Sequence, residues 1–232
     1  MNNLIPAIQV KDVKRVYQST AEPVYALQGV NLAIAPGQFV ALKGRSGSGK
    51  TTLLNCIGGL DRPTEGAVFV NGRSVHEMDD QALTLWRQQE VGFIFQNFGL
   101  LPTLSAFENV ELMLRIARFP RRQRKALAMH YLEQVGLSKW ADHRPYEMSG
   151  GQQQRVAIAR ALANEPQLIL ADEATGELDF ETAHEILQLF RTLSKDNALT
   201  ILLASHDNLV AEYADQVLNL QDGQIVGSIH VP

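Results

Sequence analysis

The sequence predicts an α/β fold whose core of strands and helices is interrupted by an all-helical insert. Three observations carry this reading. Short apolar runs bounded by turn residues recur as FVAL (Phe39 to Leu42), VGFIF (Val91 to Phe95) and LILAD (Leu168 to Asp172), the pattern of strands buried on both faces. Near Ser105 the periodicity becomes helical, and it returns to α/β after Pro166. No Pro/Gly/Ser-rich linker separates the two patterns, so the chain reads as a single domain over 1–232, with a core of about 1–95 and 165–232 and a helical subdomain of about 96–164.

Each element has a local reason. Ile8 to Tyr17 is apolar at intervals, Leu27 to Ile34 alternates, and Pro36-Gly37 turns the chain into the strand at Phe39. A helix is expected from Gly49 to about Gly58, with Leu53, Leu54 and Ile57 on one face. Gly66 to Val70 reads as a strand closed by a hairpin-like Asn71-Gly72, and Asp79 to Gln89 as a helix with Asp79 near its cap. The insert holds helices at Ala106–Arg118, Arg121–Val135 and Gly150–Ala163, with breaks at Pro120, at Gly136 and around Pro145. After LILAD come a helix at Thr182–Leu193, a strand at Leu199–Ala204, and a pair of strands, Val217–Leu220 and Ile225–Ile229, around Asp222-Gly223.

Composition narrows the function. The chain has 232 residues, 45% hydrophobic and 20% charged, with a net charge of −4, which argues against disorder and against nucleic-acid binding through bulk charge. Cys56 is the single cysteine, which rules out an intrachain disulfide and a cysteine-rich zinc site. The N-terminal residues lack the apolar core of a signal peptide, and no run of 18 apolar residues occurs, so a soluble, cytoplasmic chain is expected. The basic run Arg121 to Lys125 lacks interleaved aromatics and reads as a solvated helix start.

The strongest local signal is Gly44-Arg45-Ser46-Gly47-Ser48-Gly49-Lys50-Thr51, a complete G-x-x-x-x-G-K-[ST] pattern between a buried strand and a helix. Backbone N–H groups freed by the glycines can turn around phosphate oxygens, and the helix N-terminus adds its positive end. Lys50 is expected to reach the β- and γ-phosphates and Thr51 to offer its hydroxyl to Mg²⁺. Asp172, closing a buried strand, would hold Mg²⁺ through its water shell, and Glu173 could orient or deprotonate an attacking water.

A third motif separates this chain from other phosphate-loop proteins. Met148-Ser149-Gly150-Gly151-Gln152 resembles the LSGGQ signature of ATP-binding-cassette (ABC) ATPases, with Met for Leu. Gln96, the Asp172-Glu173 pair, Leu178-Asp179 and His206 follow the order of that family, and the resemblance runs from Tyr17 to about Gly227. It implies a RecA-like phosphate-loop NTPase core with an N-terminal β-subdomain and an inserted helical subdomain, hydrolysing ATP with Mg²⁺. It also implies roles. Tyr17, with Tyr25 as its competitor, would stack on adenine; Thr52 would contact the α-phosphate; Gln96 would reach Mg²⁺ and the attacking water. Gly44, Ser46, Gly47, Ser48 and Gly49 would cradle phosphate, with Lys50, Glu173, His206 and Gln96 as the catalytic set and Thr51, Gln96 and Asp172 at the metal. Ser149, Gly150, Gly151 and Gln152 would close on the γ-phosphate bound by a second copy, making an ATP-sandwich homodimer. Two positions depart from the family pattern: Ala174 stands where proline is usual, and Glu177 adds a charge to the loop before Leu178-Asp179.

The segments GGLDRPTEG, FQNFGLLPTLSAFENVEL and SGGQQQRVAIARALANEPQLILADE resemble the ATPases of lipoprotein-release, macrolide or peptide export and cell-division systems. That resemblance implies a subunit peripheral to the inner face of the cell membrane, driving export or extraction through separate permease subunits, with a periplasmic adaptor as an optional further component and no nucleic-acid partner. Leu100-Leu101-Pro102 would lie where a coupling helix docks, or would pack between the two lobes. A regulatory ATPase signalling through a membrane partner is the alternative. A repair or chromosome-structure ATPase is disfavoured, because neither heptads nor the cysteines of a metal-binding insert are present.

Overall fold

A computed structural model describes residues 5–19 and 22–231. Among them the strands form two sheets. The first is antiparallel, in the order β2-β1-β4-β5, from β1 (Ile8–Tyr17), β2 (Val24–Ile34), β4 (Glu65–Val70) and the two-residue β5 (Arg73–Ser74). Asn71 and Gly72 both adopt positive φ, as a tight hairpin turn between β4 and β5 requires.

The second sheet runs β10-β9-β3-β8-β7-β6. Its members are β3 (Phe39–Lys43), β6 (Val91–Ile94), β7 (Leu168–Asp172), β8 (Thr200–Ser205), β9 (Gln216–Gln221) and β10 (Gln224–His230). All neighbours pair in parallel except the β9–β10 hairpin at one edge. The continuous apolar runs are explained by what covers the two faces. Phe39 and Ala41 of β3, Ile169 and Ala171 of β7, and Ile201 and Leu203 of β8 join one core with the helical segment. Val40, Leu42, Leu168, Leu170, Leu202 and Ala204 join a second core with the antiparallel sheet.

The helices are α1 (Lys50–Ile57), α2 (Asp80–Glu90), α3 (Ala106–Ile116), α4 (Arg121–Gln134), α5 (Gly150–Leu162) and α6 (Phe180–Asn197). Asp79 caps α2, its carboxylate accepting from the Ala82 N–H, and Ser105 closes a capping box with Glu108 at the start of α3. Between Ser105 and Ala163 the described backbone is helical and irregular, without strands. The helix expected at Thr182–Leu193 is longer at both ends, because Asp179 caps its start and, past Leu193, buried Ser194 anchors the last turn by donating to the Gly37 carbonyl at 3.0 Å. The strand expected from Leu27 begins at Val24, where pairing with β1 outweighs the exposure of Val24 and Tyr25. Arg121, Arg122 and Lys125 are exposed, while Arg124 donates from Nε to the Phe119 carbonyl at 2.8 Å, so the basic run starts a helix on the surface. No described helix is long and apolar enough to cross a membrane.

This topology gathers the predicted site. The phosphate loop follows β3, Gln96 lies two residues beyond β6, Glu173 follows β7 and His206 follows β8. All are at the carboxyl edge of parallel strands, where α/β sheets bind ligands.

Candidate active site

The loop Gly44 to Gly49 joins β3 to α1. Gly49 has φ 101°, and a Cβ there would stand 2.4 Å from the Ala26 carbonyl oxygen, so both conformation and space demand glycine. Gly47 has φ +78° with open space around it, so there the backbone alone sets the choice. Lys50, the first residue of α1, is 6% exposed and turns back over the loop. Its Nζ donates to the carbonyls of Gly44 at 2.9 Å and Arg45 at 3.2 Å and pairs with Glu173 Oε1 at 3.1 Å.

Glu173 is held from two sides. Its Oε2 lies 2.7 Å from His206 Nδ1. An ionised carboxylate only accepts, so Nδ1 carries the proton and His206 Nε2 is left to face a ligand. Glu173 also has φ +50°, a region that non-glycine residues rarely occupy, and its N–H donates to the Ala204 carbonyl at 2.9 Å. The backbone strain of this loop thus sits at Glu173. Ala174, where the family pattern has proline, is buried, while Glu177 is exposed.

Asp172 is the least satisfied acid. Burial and the charge of Glu173 raise its pKa above the ordinary carboxylate value, opposed by the Thr51 hydroxyl and Lys50. Its Oδ1 is buried with no hydrogen-bond partner among the described residues, and the Ser48 hydroxyl is in the same position. An orphaned carboxylate oxygen beside a threonine hydroxyl suits a hydrated divalent cation.

Lys43, Gly44, Arg45, Ser46, Gln96, Glu173, His206 and Asn219 line one cavity of about 590 Å³. A neighbouring cavity of about 630 Å³ lies along Lys43 to Ser48 and the residues of β9 and β10. Thr51 is exposed at the start of α1, and the Thr52 hydroxyl lies beside the Tyr17 phenol. Tyr17 is half-exposed and Tyr25 more so.

The signature segment is elsewhere. Ser149 Oγ accepts from the Gln152 N–H at 3.3 Å, and Gln152 Oε1 accepts from the Ser149 N–H at 3.0 Å, a closed capping box. A Cβ at Gly151 would meet Thr182 Cγ2 at 2.4 Å, and one at Gly150 would stand 3.6 Å from Leu178. None of Ser149 to Gln152 lines either cavity at the phosphate loop. Asp179, beside it, caps α6 through the Thr182 N–H at 3.0 Å and hydroxyl at 2.7 Å, and these bonds hold its carboxyl below the usual range.

Two residues outside the predicted set shape the site. Arg160 of α5 donates to the carbonyls of Phe98, at 2.9 Å, and Gly99, in the loop after Gln96, and burial pulls its pKa below the ordinary value. An arginine within the apolar run VAIARAL is the signal that could have found it. Lys43 Nζ donates to Asn208 Oδ1 at 2.6 Å, tying the end of β3 to the segment after His206.

The model of the ABC transporter family matches residues 27–176, from β2 through the Glu173 loop. This chain is an ABC ATPase. It is 45% identical over 222 residues to the ABC transporter ATP-binding protein MJ0796 of Methanocaldococcus jannaschii, covering 94% of each chain. It is also 45% identical over 221 residues to the macrolide export ATP-binding/permease protein MacB of Hyphomonas neptunium, where it covers 95% of this chain but spans 34% of that one. Among solved structures, a dimeric post-hydrolysis state of MJ0796 bound to ADP and Pi matches with a TM-score of 0.90 at 42% identity, covering 97% of this chain and 99% of the other. As an ABC ATPase the chain is a nucleotide-binding subunit that hydrolyses ATP, on a RecA-like phosphate-loop fold.

Proposed function

We propose that this ABC ATPase powers export or extraction of a substrate through separate membrane subunits, with the chemistry carried by Glu173, His206, Gln96 and Lys50. The observation that supports it most is the chain of contacts from Lys50 through Glu173 to His206 at the carboxyl edge of the parallel sheet. The three N–H donors of Lys50 are all engaged, on the Gly44 and Arg45 carbonyls and on Glu173, so a nucleotide must displace one of them. When ATP binds, its phosphates replace Glu173 as the partner of Lys50, and the released Oε1 can accept a proton from water. The water oxygen then attacks the γ-phosphorus in line, the bond to the β–γ bridging oxygen breaks, and ADP leaves with the electron pair. His206 Nδ1 keeps the Glu173 carboxylate aimed, and Nε2, carrying a proton in turn when the ring is imidazolium, would donate to a γ-phosphate oxygen. Thr51, Asp172 and Gln96 would hold Mg²⁺, which when bound offsets the charge that spreads over the phosphoryl oxygens.

Ser149, Gly150, Gly151 and Gln152 serve a second copy. They begin α5, whose positive pole suits an anion. The MJ0796 cassette structures are dimeric, which supports a homodimer here. Gly44 to Gly49 and Thr52 would cradle the phosphates and Tyr17 the adenine.

For the membrane partner, the supporting feature is an apolar cavity of about 450 Å³ beside α3 and α5, lined by Phe93, Phe95, Leu101 and Met113, with Arg160 among its walls. Of the two readings of the glutamine loop, each takes a residue: Leu100 packs against the core, and Leu101 remains exposed in this cavity. A coupling helix from a permease subunit would dock there and hold the ATPase at the inner face of the membrane; a periplasmic adaptor would belong to the same assembly. MacB, which carries ATP-binding and permease parts in one chain, supports this pairing.

The test is Glu173→Gln, which keeps size but cannot take the proton. Nucleotide binding should persist, turnover should fall about 10²–10⁴-fold, and light scattering with MgATP should show a dimer. Wild-type turnover in that variant would disprove the assignment of Glu173.

A further inference from the structure

Tyr17 ends β1, and its phenol donates to Asp61 Oδ2 at 2.6 Å. Arg15 lies two residues earlier on the same strand, and the two side chains meet on one side of it. Its Nε donates to the same Oδ2 at 2.9 Å and its Nη2 pairs with Oδ1 at 2.8 Å. The Arg15 guanidinium carbon also stands over the Tyr17 ring, 4.4 Å from its centroid. One ring face is therefore covered by a cation, and the residue as a whole stays 37% exposed.

Asp61 is in turn fixed to the phosphate helix. Its N–H donates to the Asn55 carbonyl at 3.1 Å, the Leu60 N–H donates to the same oxygen at 2.9 Å, and Asn55 belongs to α1, which begins with Lys50. Asp61 Oδ1 also accepts from the Arg62 N–H at 2.8 Å. Burial opposes its charge, but the bonds from Tyr17, Arg15 and Arg62 hold its carboxyl below the usual range, so it stays ionised. An aromatic that only closed the end of β1, between β2 and β4, would need none of these ties to α1.

We propose that Asp61 and Arg15 are positioning residues for the nucleotide base: they clamp the Tyr17 ring at a set distance from the phosphate loop, one face on the guanidinium and the other turned to a purine. This rests on the reading of Tyr17 as the stacking aromatic.

The test compares binding of ATP with binding of tripolyphosphate, which has phosphates but no base, by calorimetry on the whole chain. Asp61→Ala and Arg15→Ala should weaken ATP about three- to tenfold, a share of what base–aromatic stacking supplies, and leave tripolyphosphate within about twofold. In a Tyr17→Ala background neither substitution should cost ATP affinity further, because the group they position is gone. Asp61→Asn still accepts from the phenol but loses the charge that holds Arg15, so it should fall between wild type and Asp61→Ala. It also serves if the alanine variant does not fold. Equal losses for ATP and tripolyphosphate, or an ATP loss that persists in Tyr17→Ala, would overturn the inference. If Tyr17→Ala itself weakens both ligands alike, the stacking role of Tyr17 falls, and the clamp with it.

Discussion

The two glycine-rich segments of this chain stand in opposite states. Around Gly44 to Thr51, polar groups are in excess of their partners: Asp172 Oδ1 and the Ser48 hydroxyl are buried and unpaired among the described residues, Lys50 is shared by two carbonyls and a carboxylate, and Glu173 sits at positive φ. At Ser149 to Gln152 the capping box is closed, and Asp179 nearby is spent on Thr182. One segment holds polar groups that its own chain leaves without partners, as the proposed nucleotide site requires. The other is a finished helix start, whose remaining N–H groups can act only when something is brought to them from outside.

That contrast can be broken in graded ways. The largest effect belongs to Lys50→Ala, which removes a charge-assisted phosphate contact and should weaken ATP binding about ten- to a hundredfold in the isolated chain, as titration calorimetry would read. Unchanged affinity would mean that Lys50 is committed to Glu173 and the loop alone.

Asp172 sharpens the comparison through pH. Its carboxyl pKa is raised, so the folded chain holds that proton more tightly than the unfolded one, and the stability linked to it is lost as pH climbs through the folded value. Without Mg²⁺, the melting temperature of Asp172→Asn relative to wild type should therefore rise as pH climbs above the ordinary carboxylate range. Mg²⁺ with nucleotide should reverse the order, since only the wild type has the carboxylate. A relative melting temperature flat with pH would show that Asp172 is not strained by its burial.

The smallest effect belongs to the finished end. Ser149→Ala removes a capping oxygen and should cost about 1 kcal/mol in chemical denaturation. ATP affinity of the monomer should not change. A matching loss of affinity would place the signature segment within its own chain's site and erase the distinction.

What was legible in the sequence follows from the same physics. The phosphate loop could be read because its constraints are local: a strand, a run of positions that demand glycine, and a helix start. The core strands could be read because burial on both faces leaves no polar alternation to misinterpret. The ends of α6 could not, since Asp179 as a cap and the Ser194 bond to the Gly37 carbonyl depend on how the helix meets its neighbours. Arg160, Asp61 and Arg15 were missed for a related reason. Each acts on a partner distant in sequence, Arg160 on Phe98 and Arg15 on Asp61, and a single charged residue in one segment does not disclose the carbonyl or ring it will meet.

Arg160 has a mechanical consequence. It grips the Phe98 and Gly99 carbonyls from the far part of α5, a helix of 13 residues whose other end is the Ser149 capping box. At the α-helical rise such a rod is about 20 Å long, and it bends little over that length. A push on the loop behind Gln96 would reach Ser149 as a tilt of this rod, and a pull on Ser149 would return to the loop. The Arg160 guanidinium is the tie that joins the loop to that end of the helix.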